Sequence, residues 1–224
     1  MQLAVSRIAR GEVERPNLRF GVLLGPDYFG KSWMLRELQK NAAAHCFSYD
    51  HNLSEKESDI VRSMREAFRP SELLAGGHSP ELLLSVFSVY LIHLRDRILA
   101  SGVDKPVIVD SYYYKLLAKC ILHGFINDQI FRLWRSLPAP EFVIYLDIDP
   151  ETAWERSDEG RKLNRLEYYG REPNRAGFER FQADMRALML RKTNDIRTEC
   201  IRVQRGCEPT VNAIRTLMAE PAFA

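Results

Sequence analysis

Residues 25–32 read Gly-Pro-Asp-Tyr-Phe-Gly-Lys-Ser, and no other stretch narrows the choice of fold as much. The octet fits G-x-x-x-x-G-K-[ST]. Such a loop can wrap an anion only if a strand feeds it and a helix leaves it. Glycine at each end lets the backbone turn tightly and approach a ligand. The helix that follows aims the positive end of its dipole at the same point. The flanks comply. Residues 18–24 are an apolar run of strand length, and Met34, Leu35 and Leu38 recur at helical spacing within 31–41. The plain alternative is a strand–helix turn that happens to carry Gly-Lys-Ser.

The alternation continues to the end of the chain. Strands are expected at 18–24, 45–49, 107–109, 142–146 and 200–203. Helices are expected at 31–41, 54–68, 80–100, 113–123, 128–136, 151–156, 176–192 and 210–219. Ser54 with Glu57 has the form of a capping box, and Ser79-Pro80 that of a helix start. Strands separated by helices pair in parallel through crossovers. The expected fold is therefore α/β: a P-loop three-layer sandwich, with a five-stranded parallel sheet between helices and an arginine-rich lid. A length of 224 residues suits one such domain over 18–224, with residues 1–17 as an extension. No internal repeat or linker divides it.

Composition excludes several classes. With 32 basic and 30 acidic residues, charge alone gives no reason to expect nucleic-acid binding. No run of about 18 apolar residues occurs, so no membrane span is expected, and residues 1–19 lack an apolar signal core. Cys46, Cys120, Cys200 and Cys207 form no C-x-x-C pair and no metal-ligand spacing; they read as reduced thiols of a cytoplasmic protein.

The residues at the strand ends carry the chemistry. Backbone N–H groups between Gly25 and Gly30 can cradle phosphates. Lys31 can reach the β- and γ-phosphates, and the Ser32 hydroxyl can ligate Mg²⁺. Trp33 is placed with the donor nucleotide. In a parallel sheet, ligands lie beyond the carboxyl ends of the strands. Asp27, Asp110, Asp147 and Asp149 all fall there. Asp110 is the choice for the catalytic carboxylate, as a Mg²⁺ ligand or as a proton acceptor; its alternative is an N-cap for the helix near Tyr113. Asp149-Pro150 reads as a helix cap. Tyr28 and Phe29 either pack under the loop or line the acceptor pocket. His93 can face an acceptor cleft from the long helix; the other histidines read as loop or capping residues. Arg156, Arg161, Lys162, Arg165, Arg171 and Arg175 lie in one polar segment, about 156–175, hinged at Gly160 and Gly170. It reads as a lid able to set a guanidinium on the transferring group, Arg156 and Arg165 foremost. The plain reading is a solvated basic face.

In this order, the motifs resemble those of the thymidylate kinase family of P-loop nucleoside monophosphate kinases. Residues 23–32 look like its phosphate loop, and Asp27 sits where the family often has a carboxylate facing the acceptor sugar. Val107-Ile108-Val109-Asp110-Ser111-Tyr112 looks like its Asp-Arg-Tyr segment, which places Tyr112 with the acceptor. Residues 141–151 are similar to its fourth-strand segment, and residues 153–156 and 163–167 to the ends of its lid. The resemblance implies ATP as donor, Mg²⁺, and often a homodimer.

The departures fall on the acceptor side. Ser111 stands where the family has an acceptor-phosphate arginine, and Leu91 where its base-recognition helix has another. Tyr49-Asp50-His51-Asn52 replaces its Glu-Pro-Gly segment. Arg95, Arg97, Lys115 and Lys119 are possible replacements. Three functions follow. The foremost transfers the ATP γ-phosphoryl group to a nucleoside monophosphate such as dTMP. The second acts on a hydroxyl of a nucleoside or other small metabolite, and the third binds nucleotide without turnover.

Overall fold

The computed structural model describes residues 20–40, 44–49, 53–69, 77–101, 106–203 and 208–219. The extension at 1–17, His51 and Cys207 lie outside these. In chain order the elements are β1 (Phe20–Leu24), α1 (Lys31–Lys40), β2 (His45–Phe47), α2 (Glu55–Ala67), α3 (Pro80–Leu99), β3 (Val107–Asp110), α4 (Tyr112–Leu122), α5 (Asp128–Arg135), β4 (Phe142–Asp147), α6 (Pro150–Arg156), α7 (Arg175–Lys192), β5 (Arg197–Arg202) and α8 (Glu208–Met218).

The five strands form one sheet in the order β2-β3-β1-β4-β5, and every pairing is parallel. β1 is buried along its whole length, as a central strand covered on both faces must be. Alternation along it divides the core. Phe20, Val22 and Leu24 face one layer with α3, α4, α5 and α7. Leu23 faces the other, with α1, α6 and α8. Gly21 is needed because a Cβ there would lie 2.1 Å from the Phe142 ring on β4.

The chain leaves β1 toward β2 and β3, then crosses back to β4 and β5. The order therefore reverses beside β1, and the crevice at such a switch point is where ligands bind in this architecture. The phosphate-loop motif opens there.

Several boundaries differ from expectation. β2 stops at Phe47. Arg97 of α3 donates to the Ser48 carbonyl at 2.7 Å, so the backbone there bonds a helix and not a strand. β5 begins at Arg197, three residues early. It is an edge strand, and its polar start hid it. The capping box at Ser54 and Glu57 and the Ser79 and Asp149 caps are all formed. No helix among the described residues is long and apolar enough to cross a membrane.

His123 closes α4 among Phe125, Phe181 and Tyr169. Burial, with Arg165 and Lys119 nearby, pulls its pKa from 6.5 down to about 4. Between those values the unfolded chain binds a proton that the folded chain does not. This contribution is therefore complete above pH 6.5 and falls away as the pH drops toward 4. Urea titrations from pH 7 to 4 should show stability falling in that window, and His123→Phe should flatten the fall. An unchanged slope in the variant would remove His123 as its cause.

Candidate active site

The loop between β1 and α1 is closely held. A Cβ at Gly25 would lie 2.8 Å from the Leu146 carbonyl, and Gly30 has φ +94°, a conformation that favours glycine. Phe29 is buried beneath the loop, with its ring centroid 5.5 Å from Lys31 Nζ. The opposite outcome holds for Tyr28. Its φ of +62° turns the side chain toward the segment after α6, where its hydroxyl contacts the Lys162 carbonyl and lies 2.9 Å from Glu167 Oε2. The first turn of α1 is secured by the Trp33 and Met34 N–H groups, which donate to the Gly30 carbonyl.

Lys31 is paired with Asp110, Nζ to Oδ1 at 2.6 Å. Ser111 completes a triangle: Lys31 donates to Ser111 Oγ at 2.6 Å, and Ser111 donates to Asp110 Oδ1 at 2.7 Å. Asp110 is thus no helix cap. The residue at the cap position of α4 is Ser111, and its side chain makes no capping bond. Ser111 and Tyr112 have φ of +58° and +44°. Two consecutive non-glycine residues in that region cost about 1–3 kcal/mol each, a strain that clusters at functional sites.

Beside this triangle lies a second cluster. Asp27 pairs with Lys115 at 2.7 Å and Lys119 at 3.1 Å, two residues one turn apart on α4. Lys119 reaches on to Glu167 at 3.2 Å. Asn164 N–H donates to Glu167 Oε2 at 3.0 Å, and the Asn164 amide contacts the other carboxylate oxygen. Gln182 of α7 accepts from the Asp27 N–H at 3.1 Å and donates to the Glu167 carbonyl at 3.3 Å. Burial alone would raise the Asp27 pKa, yet Lys115 and Lys119 hold the carboxyl well below the ordinary carboxylate range. Burial and the neighbouring Lys31 and Lys119 draw Lys115 down to about 8, although Asp27 opposes this. Lys119 is raised because Asp27 and Glu167 outweigh its burial.

These groups open on one cavity of about 740 Å³. Residues 26–33 of the loop and α1 form one end. The other is apolar and aromatic, with Tyr49, Phe68, Phe87 and Tyr90. Tyr49 and Tyr90 stack at 6.0 Å. The Tyr90 hydroxyl is buried and has no hydrogen-bond partner among the described residues.

The cavity wall thus contains Asp27, Tyr28, Gly30, Lys31, Ser32, Trp33 and Asp110, and Gly25 lies at the foot of the loop. Four expected members lie elsewhere. Tyr112 is wholly buried in the core, packed edge-on to Phe20 at 5.5 Å, because its left-handed backbone turns the ring inward. His93 bonds Glu57 of α2 at 2.8 Å. Arg165 lies over the Tyr168 ring. Arg156 is behind the loop, donating to the Phe29 carbonyl at 2.8 Å. Away from these four, Asp147 accepts from Arg186 Nε and Nη2, at 3.0 and 2.8 Å. Sequence spacing singles out neither Glu167 nor Gln182. The one visible signal was a pair of lysines, one turn apart, on the otherwise apolar α4.

Ser32 and Asp110 share the cavity and present two oxygen donors, the kind that Mg²⁺ takes together with phosphate oxygens and water. Among the described residues, no group of three His, Cys, Asp or Glu side chains could hold a metal ion unaided.

The sequence matches no protein-family profile and no curated protein. Solved structures do match. Thymidylate kinase from Candida albicans is 18% identical with a TM-score of 0.56, over 89% of this chain and 90% of that one. Deoxyadenosine kinase from M. mycoides with bound dATP is 13% identical with a TM-score of 0.55, over 89% and 99%. The same enzyme with dCMP and dCDP is 11% identical with a TM-score of 0.58, over 88% and 97%. The chain therefore has the P-loop fold shared by these nucleotide and nucleoside kinases.

Proposed function

We propose that this chain is a kinase that moves the γ-phosphoryl group of ATP to a small acceptor of nucleoside type. One observation carries the reading: a single cavity has the phosphate loop at one end and an aromatic wall at the other. A planar base can stack on Tyr90 and Phe87 while its sugar or phosphate approaches the loop.

In this reading the amides of residues 25–32 and the dipole of α1 hold the triphosphate, and Lys31 leaves Asp110 for the β- and γ-phosphates. Ser32 would hold Mg²⁺, with Asp110 organising water beside it, and the ion would neutralise charge on the transferring group. Asp110, once released by Lys31, also stands ready to accept a proton. Asp27, fixed by Lys115 and Lys119, directs the acceptor. Arg156 supports the loop from behind through Phe29. Arg165 needs lid movement to reach a phosphate.

The acceptor group itself divides two readings. Lys115 and Lys119 already face Asp27 and Glu167, and uncharged Ser111 follows Asp110. A phosphate dianion entering here would displace or meet two carboxylates. That favours a hydroxyl acceptor. The same two lysines favour the second reading, a monophosphate such as dTMP, if it displaces the carboxylates and takes the ammonium groups.

A panel of nucleosides and nucleoside monophosphates with Mg·ATP, followed by ADP release, decides between them. Turnover should appear with a nucleoside. Turnover with dTMP alone would reverse the order of the two readings, and none with any acceptor would overturn both. Lys31→Ala should lower the rate at least ~100-fold, since it removes a charge from the transferring phosphates; a rate like the wild type would contradict the assignment.

A further inference from the structure

We infer that Ser111 is a self-phosphorylation site: with ATP bound and no acceptor present, the γ-phosphoryl group passes to Ser111 Oγ. This rests on the reading above, in which ATP occupies the phosphate loop.

The geometry is that of an activated nucleophile. A hydroxyl becomes a useful attacking group when a base within hydrogen-bond reach takes its proton and a third group orients the base. Ser111 Oγ donates to Asp110 Oδ1 at 2.7 Å, and Lys31 holds the same carboxylate oxygen at 2.6 Å. Lys31 also contacts Ser111 Oγ at 2.6 Å. A lysine in this motif binds the β- and γ-phosphates. The nucleophile therefore touches the cation that grips the group to be transferred. With a charge-assisted contact of about 2.9 Å from Nζ to a phosphate oxygen, Oγ and that oxygen are no more than about 5.5 Å apart. A Lys31 that gives up Asp110 but keeps its contact with Ser111 leaves Oγ within reach of the attack distance of about 3–3.5 Å by rotation of the serine side chain.

No other hydroxyl on the cavity wall among the described residues is so placed. Tyr28 is turned to the Lys162 carbonyl and Glu167. Ser32 sits on the first turn of α1, beside the metal position. Tyr49 and Tyr90 stand in the aromatic wall at the far end. Ser111 lines the same cavity as the loop, so with no acceptor bound it is the hydroxyl beside Lys31.

The step balances without an oxidant or reductant. Oγ forms a bond to Pγ, and the bond from Pγ to the β,γ-bridging oxygen breaks. The electron pair leaves with ADP, and the hydroxyl proton goes to Asp110. The product sets a phosphate dianion beside Lys31, where the γ-phosphate of a second ATP would lie. Like charges then exclude that ATP, so the modified chain should bind ATP at least about tenfold more weakly. The outcome is a donor site that shuts itself when no acceptor is available.

The test is to incubate the full chain with Mg·ATP alone, measure the intact mass, and map the modified peptide. ATP binding is followed in parallel by the fluorescence of Trp33, which is on the cavity wall. One phosphoryl group per chain, on Ser111, is expected. It should be absent from Ser111→Gly, a variant that suits the φ of +58° and is checked for folding by its melting curve, and from Ser111→Ala. A chain that binds ATP but stays unmodified, or is modified elsewhere, overturns the inference and leaves the proposed function standing. A chain that binds no ATP overturns both.

Discussion

Three lysines and three carboxylates meet at the mouth of the sheet, and the rest of the site depends on their pairing. Lys31 faces Asp110; Lys115 and Lys119 face Asp27; Lys119 extends to Glu167. The six come from five places in the chain: the phosphate loop, the start of α1, the end of β3, α4 and the lid. All are largely withdrawn from water. Taking one partner from a buried pair leaves a charge uncompensated, at a cost of about 3–5 kcal/mol. The network therefore ties loop, helix and lid to one another more firmly than surface ion pairs would. The exposed pairs of Arg175 with Glu151 and Glu179 are screened by water and hold far less.

Topology explains why these groups can meet. β1 is central, and both its loop and the end of β3 open into the same crevice. The register that sets Leu23 opposite Asp110 also lets Ser111 N–H donate to the Leu23 carbonyl at 3.0 Å. This bond holds the strained turn directly beside the loop. From there α4 runs back with Lys115 and Lys119 on the side that faces Asp27. α7 adds Gln182, which bonds both the loop and the lid. In the proposed reading the loop end serves the donor, and the acceptor end offers Lys115 and Lys119, both paired with carboxylates.

Much of this was legible in the sequence. The octet at 25–32, the apolar strand before it and the helix after it are local signals, and local structure obeys them. β4 and the caps at Ser54, Ser79 and Asp149 were equally plain. Side-chain direction was less so. Tyr112 belongs to a motif that suggests an acceptor contact, but its residue-level φ of +44° sends it into the core. His93 was expected to face an acceptor from α3, but it bonds Glu57 of α2. Arg156 and Arg165 lie in the segment expected to be a lid, yet one supports the loop backbone and the other covers Tyr168. Glu167 was hidden because its partners, Tyr28 and Lys119, are 139 and 48 residues away. Sequence spacing reports neighbours along an element, whereas these contacts arise only when the sheet closes.

The most direct measurement is a crystal structure with Mg²⁺ and a non-hydrolysable ATP analogue. The account predicts the triphosphate against the amides of residues 25–32, with Lys31 Nζ moved off Asp110 onto the β- and γ-phosphates. A Lys31 still locked to Asp110, with the analogue bound elsewhere or absent from the loop, would contradict it.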